Sequence, residues 1–189
     1  MPKTNPEMKT DVPGFSENLR QWVSSASVRP EVRRAVRQVY EDLEREIAER
    51  RPLCVLSGKC CRFDEYGHRL YVTTLELATF SHDLATGASK PSNEVDPSPL
   101  DKGVCPFQSG KLCGVHGIRP MGCRIFYCDP TSTQWQQERY EQFHKELKAL
   151  HEKLVVPYLY VEWRLALEVM ELTRFAPPAP RPVEKPESF

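Results

Sequence analysis

Apolar residues recur at three- and four-residue steps in two long stretches of the chain, the pattern of a helix with one buried face. We predict the first helix from Pro30, a residue favoured in a first turn, to about Arg51. Its apolar positions are Val32, Val36, Val39, Leu43 and Ile47. The second helix is predicted from about Ser132 to Leu154. Its apolar stripe is Phe143, Leu147, Leu150 and Leu154.

Shorter patterns predict further elements. Ser16 is suited to cap a short helix through about Ser24. Residues 70–72 are predicted as a short strand. Thr73-x-x-Glu76 is a capping-box pattern, in which the two side chains bond each other's backbone, and it predicts a helix over about 74–85.

The remaining segments are more irregular. Residues 86–103 hold three prolines and two glycines among polar groups and are predicted to be a loop. Pro157 is predicted to open a last helix through Leu172, although residues 158–161 also suit a short extended piece. The ends, 1–15 and 176–189, are polar and proline-rich and are predicted to be disordered.

These elements predict a mainly α protein, a small helical scaffold around an irregular cysteine-rich centre. Residues 16–175 form a single domain in this prediction. The chain has 189 residues, of which 40% are hydrophobic, enough for one core.

Charge and hydropathy narrow the functional classes. Acidic and basic residues number 26 each, so no long-range field draws nucleic acid or anionic lipid, and we expect neither as a partner. The first fifteen residues lack the apolar run of a signal peptide, and no segment approaches the roughly 18–20 apolar residues of a spanning helix. We therefore expect a reducing, cytoplasmic location in which disulfides do not form.

The seven cysteines carry the clearest chemical signal. They form two groups, Cys54-x5-Cys60-Cys61 and Cys105-x7-Cys113-x9-Cys123-x4-Cys128. Thiolates gathered this way are ligands for soft metals, either zinc or iron in an iron–sulfur cluster.

The number of cysteines leaves the nuclearity open. Four thiolates suffice for a zinc ion or a [4Fe–4S] cluster. Seven imply either spare thiols or a second site that His68 or His116 would complete. The adjacent pair Cys60-Cys61 suits a cluster or two neighbouring sites better than one tetrahedral zinc.

The segment Cys54-Val-Leu-Ser57-Gly58-Lys59-Cys60-Cys61 resembles the CxxCxxCC motif. The later runs Gly103-Val-Cys105-Pro-Phe, Gly110-Lys-Leu-Cys113 and Arg119-Pro-x-x-Cys123-Arg-x-Phe-x-Cys128 resemble the rest of the same signature. The chain is therefore similar, over residues 52–130, to the CxxCxxCC zinc- or iron-chelating family, also called the YkgJ cysteine-cluster family.

The resemblance implies metal or iron–sulfur binding and a bacterial cytoplasmic location, without one agreed reaction. It makes all seven cysteines candidate ligands, with Cys60, Cys61, Cys105, Cys113 and Cys123 first, and Cys54 and Cys128 next. Ser57 departs from the motif, because it replaces the second cysteine. His116 stands where the family has an aromatic residue.

Other side chains have two interpretations each. Arg62, Arg119 and Arg124 would lower the pKa of nearby thiols, or else pair with acids such as Asp64 or Asp129. Seven aromatic residues at helical spacing are predicted to pack in the core rather than to stack on bases. They are Tyr127, Trp135, Tyr140, Phe143, Tyr158, Tyr160 and Trp163.

The leading hypothesis is a protein that binds an iron–sulfur cluster or zinc and acts on an unidentified protein partner or substrate. One alternative is a redox or protein-modifying enzyme in which Ser57 marks an open coordination position. The other is a structural or adaptor module folded by zinc. No pattern of catalytic residues stands out, and no cofactor beyond metal is expected.

Overall fold

The structure is a computed structural model that describes residues 13–88 and 100–172. Within these ranges the chain forms seven α-helices and four short strands. The helices are α1 Phe15–Ser27, α2 Pro30–Arg50, α3 Phe63–Tyr66, α4 Thr74–Ala85, α5 Met121–Ile125, α6 Thr133–Leu154 and α7 Trp163–Val169. The strands are β1 Tyr71–Thr73, β2 Gln108–Ser109, β3 Leu112–Cys113 and β4 Tyr160–Glu162. The predicted mainly α fold is confirmed.

The predicted tails and the loop fall largely outside the described residues. This applies to residues 1–12, to 89–99 of the predicted loop and to everything after 172. At the first tail, Pro13 and Gly14 form a turn and Phe15 begins α1. The cap predicted at Ser16 is therefore wrong: Gly14 is the N-cap, without a side-chain hydrogen bond, and Ser16 lies inside α1.

The core forms where α1 and α2 pack on α4 and α2 also packs on α6. The apolar stripe predicted for α2 is the face that enters this core, where Val32, Val36 and Leu43 are fully buried. From α6, Phe143 and Leu147 reach the same core, as predicted. Helical periodicity thus located the main buried faces of both long helices.

The last predicted helix is wrong over its first residues. Tyr160–Glu162 is a strand, β4, which pairs antiparallel with β1 so that Val72 faces Val161. Helix α7 begins only at Trp163, and the Glu162 side chain accepts a hydrogen bond from the Leu165 N–H at 3.0 Å. The extended alternative, given for residues 158–161, is confirmed at 160–161, because the hydrogen bonds that decide between strand and helix come from a distant segment.

Glu76 is a buried carboxylate that joins three parts of the fold. The predicted capping box is confirmed, since Oε2 accepts from the N–H of Thr73 at 2.9 Å, and Thr73 Oγ1 accepts from the Glu76 N–H at 3.3 Å. Its other oxygen, Oε1, accepts from Tyr40 Oη of α2 at 3.2 Å and from the N–H of Met121, the first residue of α5, at 3.0 Å. Burial raises the pKa of Glu76, while these donors lower it.

Within residues 13–88 and 100–172, no helix has both the length and the apolar composition that crossing a bilayer requires.

Replacing Glu76 with glutamine tests this junction. Glutamine replaces one carboxylate oxygen, which accepts hydrogen bonds, with an NH₂ group, which donates them. This group would face the donors that now bond to Glu76, so at least one buried N–H or hydroxyl loses its partner. We expect Glu76→Gln to lower the free energy of unfolding by about 2 kcal/mol, measured by urea denaturation. Glu49→Gln, on the exposed surface of α2, is the control and should change it by less than about 0.5 kcal/mol. Equal effects of the two substitutions would contradict the structural role of Glu76.

Candidate metal centre

Five of the seven cysteines line one small cavity, which we call the thiol cavity. They are Cys60, Cys61, Cys105, Cys113 and Cys123. The cavity has a volume of about 30 Å³, and Phe63, Val115, Pro120 and Trp163 form its apolar walls. These are the five cysteines that the sequence ranked first as ligands.

Backbone pairing brings Cys61 beside Cys105. Cys60 and Cys61 lie in a 3₁₀ turn, Lys59–Cys61. The carbonyl of Cys61 accepts a hydrogen bond from the Cys105 N–H at 2.7 Å, and the next residues, Arg62 and Val104, form an antiparallel bridge. The first cysteine group is thus fixed to the second through its main chain.

Cys113 reaches the cavity on a hairpin. Strands β2 and β3 pair so that Gln108 faces Cys113. The Gln108 side chain donates from Nε2 to the carbonyl of Gly58 at 3.0 Å, which holds the hairpin against the turn that carries Cys60 and Cys61. Gly58 has φ +73°, a left-handed backbone conformation that is strained for any residue with a Cβ.

Cys123 lies on the short helix α5, whose first N–H is bonded to Glu76. Pro120 precedes this helix and also forms a wall of the cavity. The buried carboxylate therefore positions the fifth thiol as well as the scaffold.

The thiols interact with one another as well as with the chain. Hydrogen bonding from Cys61 lowers the pKa of Cys60 to about 6 and that of Cys113 to about 7, against the opposing effect of burial. Hydrogen bonding to Cys105, Cys113 and Cys60 raises the pKa of Cys61 itself. Burial raises the pKa of Cys123 well above its usual range. The cavity thus holds both readily ionised and protonated sulfurs.

Arg119 is the cation of this centre. It lines the thiol cavity, and its charge favours the thiolate forms of Cys60, Cys113 and Cys123. Its buried Nε has no hydrogen-bond partner among the described residues. Of the two interpretations of the flanking arginines, stabilisation of thiolates fits Arg119.

The other two arginines make pairs, although not with the acids suggested by the sequence. Arg62 pairs with Glu65 at 3.3 Å. The buried Arg124 pairs with Glu44 of α2 and donates to the carbonyls of Gly117 and Arg119. Arg124 thereby fixes the loop on which Arg119 lies.

The remaining two cysteines do not line the thiol cavity. Cys54 is exposed, and Cys128 Sγ lies 3.3 Å from Ser57 Oγ, the residue that replaces the motif's second cysteine. Ligation by Cys54 and Cys128 stays a prediction.

Neither histidine suggested for a second site lines the thiol cavity. His116 is exposed. His68 has its Nε2 at 3.4 Å from the carbonyl of Cys60, and its ring stacks on Phe126 with the centroids 5.0 Å apart. Burial lowers the pKa of His68, which favours its neutral form.

Beside the thiol cavity is a much larger depression, the wide cleft, of about 680 Å³. Cys60 and Cys123 line both spaces. The aromatic side chains around the cleft are Phe63, His68, Tyr71, Phe126, Tyr127, Tyr140 and Tyr160. Of the aromatics predicted to pack in the core, Phe143 and Trp163 are buried, and Trp135 and Tyr140 are partly buried against the core. Tyr127, Tyr140 and Tyr160 line this cleft. The spacing of these aromatics along the chain does not indicate which are buried and which line the cleft, because that depends on how α5, α6 and β4 pack together.

In the part of the chain that the structure describes, no three His, Cys, Asp or Glu side chains already have an arrangement that would hold a metal ion. Comparisons of the chain with protein-family models, with curated proteins and with solved structures found no match. Metal binding and the resemblance to the CxxCxxCC family therefore stay predictions.

Gly58→Ala tests the turn that carries Cys60 and Cys61. A Cβ there would lie 2.5 Å from Gln108 Nε2 and 3.3 Å from the Lys111 Cα, and it would also carry the strain of φ +73°. We expect a loss of about 2 kcal/mol in the free energy of unfolding, measured by urea denaturation. The control is Gly110→Ala, where φ is +59° and a Cβ meets nothing, so only about 1 kcal/mol should be lost. If the two losses are equal, the contact between Gly58 and the hairpin has no energetic role.

Arg119→Met tests the electrostatics of the thiols. Removing the cation disfavours the thiolate, so the pKa of Cys60 should rise and its alkylation should begin at higher pH. The measurement is the pH dependence of iodoacetamide labelling at Cys60, followed by peptide mass spectrometry on chelator-treated protein. Arg62→Met, which removes an arginine paired with Glu65, should leave the profile unchanged. An unshifted midpoint in Arg119→Met would contradict the role given to Arg119.

Proposed function

We propose that this chain is a metal-binding protein whose clustered cysteines hold a soft metal, zinc or iron in an iron–sulfur cluster. The observation that carries the proposal is the convergence of five thiols on one small cavity. They come from separate segments: a 3₁₀ turn, the loop at Cys105, a hairpin and helix α5.

The donor set fits such a metal. Thiolates are preferred ligands of zinc and of iron–sulfur clusters, and five thiols exceed the four that either requires. Cys60 and Cys113 ionise readily, and Arg119 offsets part of the negative charge that a thiolate-bound metal carries. Metal binding would replace interactions between neighbouring thiols with metal–thiolate bonds and release the remaining protons.

The size of the cavity favours one ion over a cluster. A space of about 30 Å³ accommodates one or two water-sized spheres, whereas a [4Fe–4S] cluster carries four irons and four sulfides. A single zinc held by four thiolates is the usual structural site. Such a site would join segments that otherwise meet through few backbone hydrogen bonds.

The second candidate function is an enzyme in which the metal centre takes part. It is favoured by one observation, that Cys60 and Cys123 line the wide cleft as well as the thiol cavity. A molecule in the cleft would therefore lie against the centre, as a substrate requires.

Elemental analysis with an absorption spectrum, on protein purified without oxygen, tests the proposal. We expect either about one zinc ion per chain in colourless protein, or about four irons per chain with acid-labile sulfide and visible absorption. Zinc would support the single-ion site that the cavity favours. Protein that contains neither metal, and binds neither when it is supplied, would overturn the proposal.

Substitution at Cys61 and Cys54 locates the ligands. Cys61 interacts with three other thiols of the cavity, whereas Cys54 is exposed and lies outside it. We expect Cys61→Ala to weaken metal binding by at least about 100-fold in a chelator competition, and Cys54→Ala to leave it nearly unchanged. Circular dichroism checks that both variants retain helix content. Equal loss in both would mean that the ligands are not those of the thiol cavity.

A further inference from the structure

We propose that the wide cleft is a binding site for an uncharged, planar aromatic molecule that carries a carbonyl group. The cleft's volume of about 680 Å³ falls within the range of small-molecule sites, which are mostly apolar with a few polar groups. The site is distinct from the thiol cavity, and the proposal does not depend on a bound metal.

The walls supply the preference for an aromatic ring. Tyr71 and Tyr160 are stacked with centroids 5.0 Å apart and planes 20° apart, and the hydroxyl of Tyr160 is hydrogen-bonded to that of Tyr140. Phe126 and His68, which also line the cleft, form a second stacked pair. Paired rings present ordered faces and edges, and a planar aromatic ligand can add to such pairs at little cost in side-chain entropy.

The charged groups of the cleft favour a neutral ligand. Asp129 already accepts four hydrogen bonds, from the N–H groups of Leu53 and Thr131 and the hydroxyls of Thr131 and Ser132. Arg69 lies 3.7 Å from Asp64 at the exposed rim. Both oxygens of Asp129 are thus occupied by donors and leave no free position for a cationic ligand, while the negative charge that Asp129 keeps disfavours an anion. The charge of Arg69 is matched by Asp64.

Gln136 supplies the donor for a carbonyl group. Its Oε1 accepts from the Tyr127 N–H at 2.6 Å, which fixes the orientation of the amide. Among the described residues no acceptor is bonded to its Nε2, so this N–H₂ group is free to donate to a ligand in the cleft. The hydroxyl of Tyr71 has no partner among the described residues either and lies in the same cleft.

The inner end of the cleft is formed by Cys60 and Cys123, which also belong to the thiol cavity. A molecule that fills the cleft would therefore cover the side of the thiols that reagents reach. Binding should shield Cys60 from alkylation while the exposed Cys54 continues to react.

Calorimetric titration of the protein as purified tests the proposal with four probes. The probe with the proposed chemistry is 2-naphthamide. Its comparators are the saturated decahydronaphthalene-2-carboxamide, the anionic 2-naphthoate and the cationic 2-naphthylmethylammonium. We expect 2-naphthamide to bind most tightly, with the saturated amide about 5-fold weaker because ring stacking is lost. On chelator-treated protein it should also slow the alkylation of Cys60 and leave that of Cys54 unchanged.

Two neighbouring glutamines on α6 provide a matched pair of variants. Gln137 lines the cleft and donates to Glu141, whereas Gln134 lies outside the cleft and donates to Glu138 in the same way. Gln137→Trp should fill the cleft and weaken 2-naphthamide binding more than about 10-fold, and Gln134→Trp should not. Gln136→Glu keeps the oxygen that accepts from Tyr127 and removes the donor, so it should weaken binding about 5-fold.

Several results would overturn the inference. They are no binding of 2-naphthamide, equal binding of the saturated amide, tighter binding of either charged probe, or equal effects of the two tryptophan substitutions. Metal analysis of the same protein is independent of these outcomes. Failure of metal binding and failure of the cleft are therefore distinguishable.

Discussion

The buried carboxylate of Glu76 is the interaction on which the arrangement of the centre depends. It caps α4, accepts from the hydroxyl of Tyr40 on α2 and holds the first N–H of α5. A charged group without partners in this position would be strongly destabilising, so the three elements must meet around it for the fold to form. Because α5 carries Cys123, the same requirement that stabilises the scaffold also places a thiol in the cavity.

The two spaces beside α5 differ in character although they share two thiols. The thiol cavity is small, has apolar walls and is surrounded by sulfur, which suits a group held permanently by the chain. The wide cleft is large and aromatic and opens to the surface, which suits a molecule that enters and leaves. Cys60 and Cys123 separate the two spaces, so any change in the charge or ligation of these sulfurs alters the inner wall of the cleft.

Local patterns predicted much of the fold. The periodicity of α2 and α6 and the Thr73-x-x-Glu76 capping box identified helices. These features can be seen in the sequence because they involve residues only three or four positions apart. The prediction for the segment after Pro157 is wrong, because the pairing of Tyr160–Glu162 with Tyr71–Thr73 cannot be inferred from either segment alone.

The candidate site likewise depends both on local patterns and on contacts between distant segments. Cysteine spacing and the family resemblance ranked the five cysteines of the cavity first, but the contacts that bring them together, the Cys61–Cys105 pairing and the docked hairpin, join segments distant in the chain and have no local pattern. The cleft has no local signature at all.

The position of Trp163 has a consequence for the order of events during synthesis. This residue forms a wall of the thiol cavity, and its backbone N–H donates to the carbonyl of Leu70 at 2.8 Å, yet it follows every cysteine in the chain. On a ribosome, all the thiols emerge before the indole that covers them, and β1 waits for β4 as its partner. There is thus an interval in which the sulfurs are open to the surroundings, and it lasts until α7 docks. Whatever the sulfurs capture in that interval then lies against the side chain of Trp163.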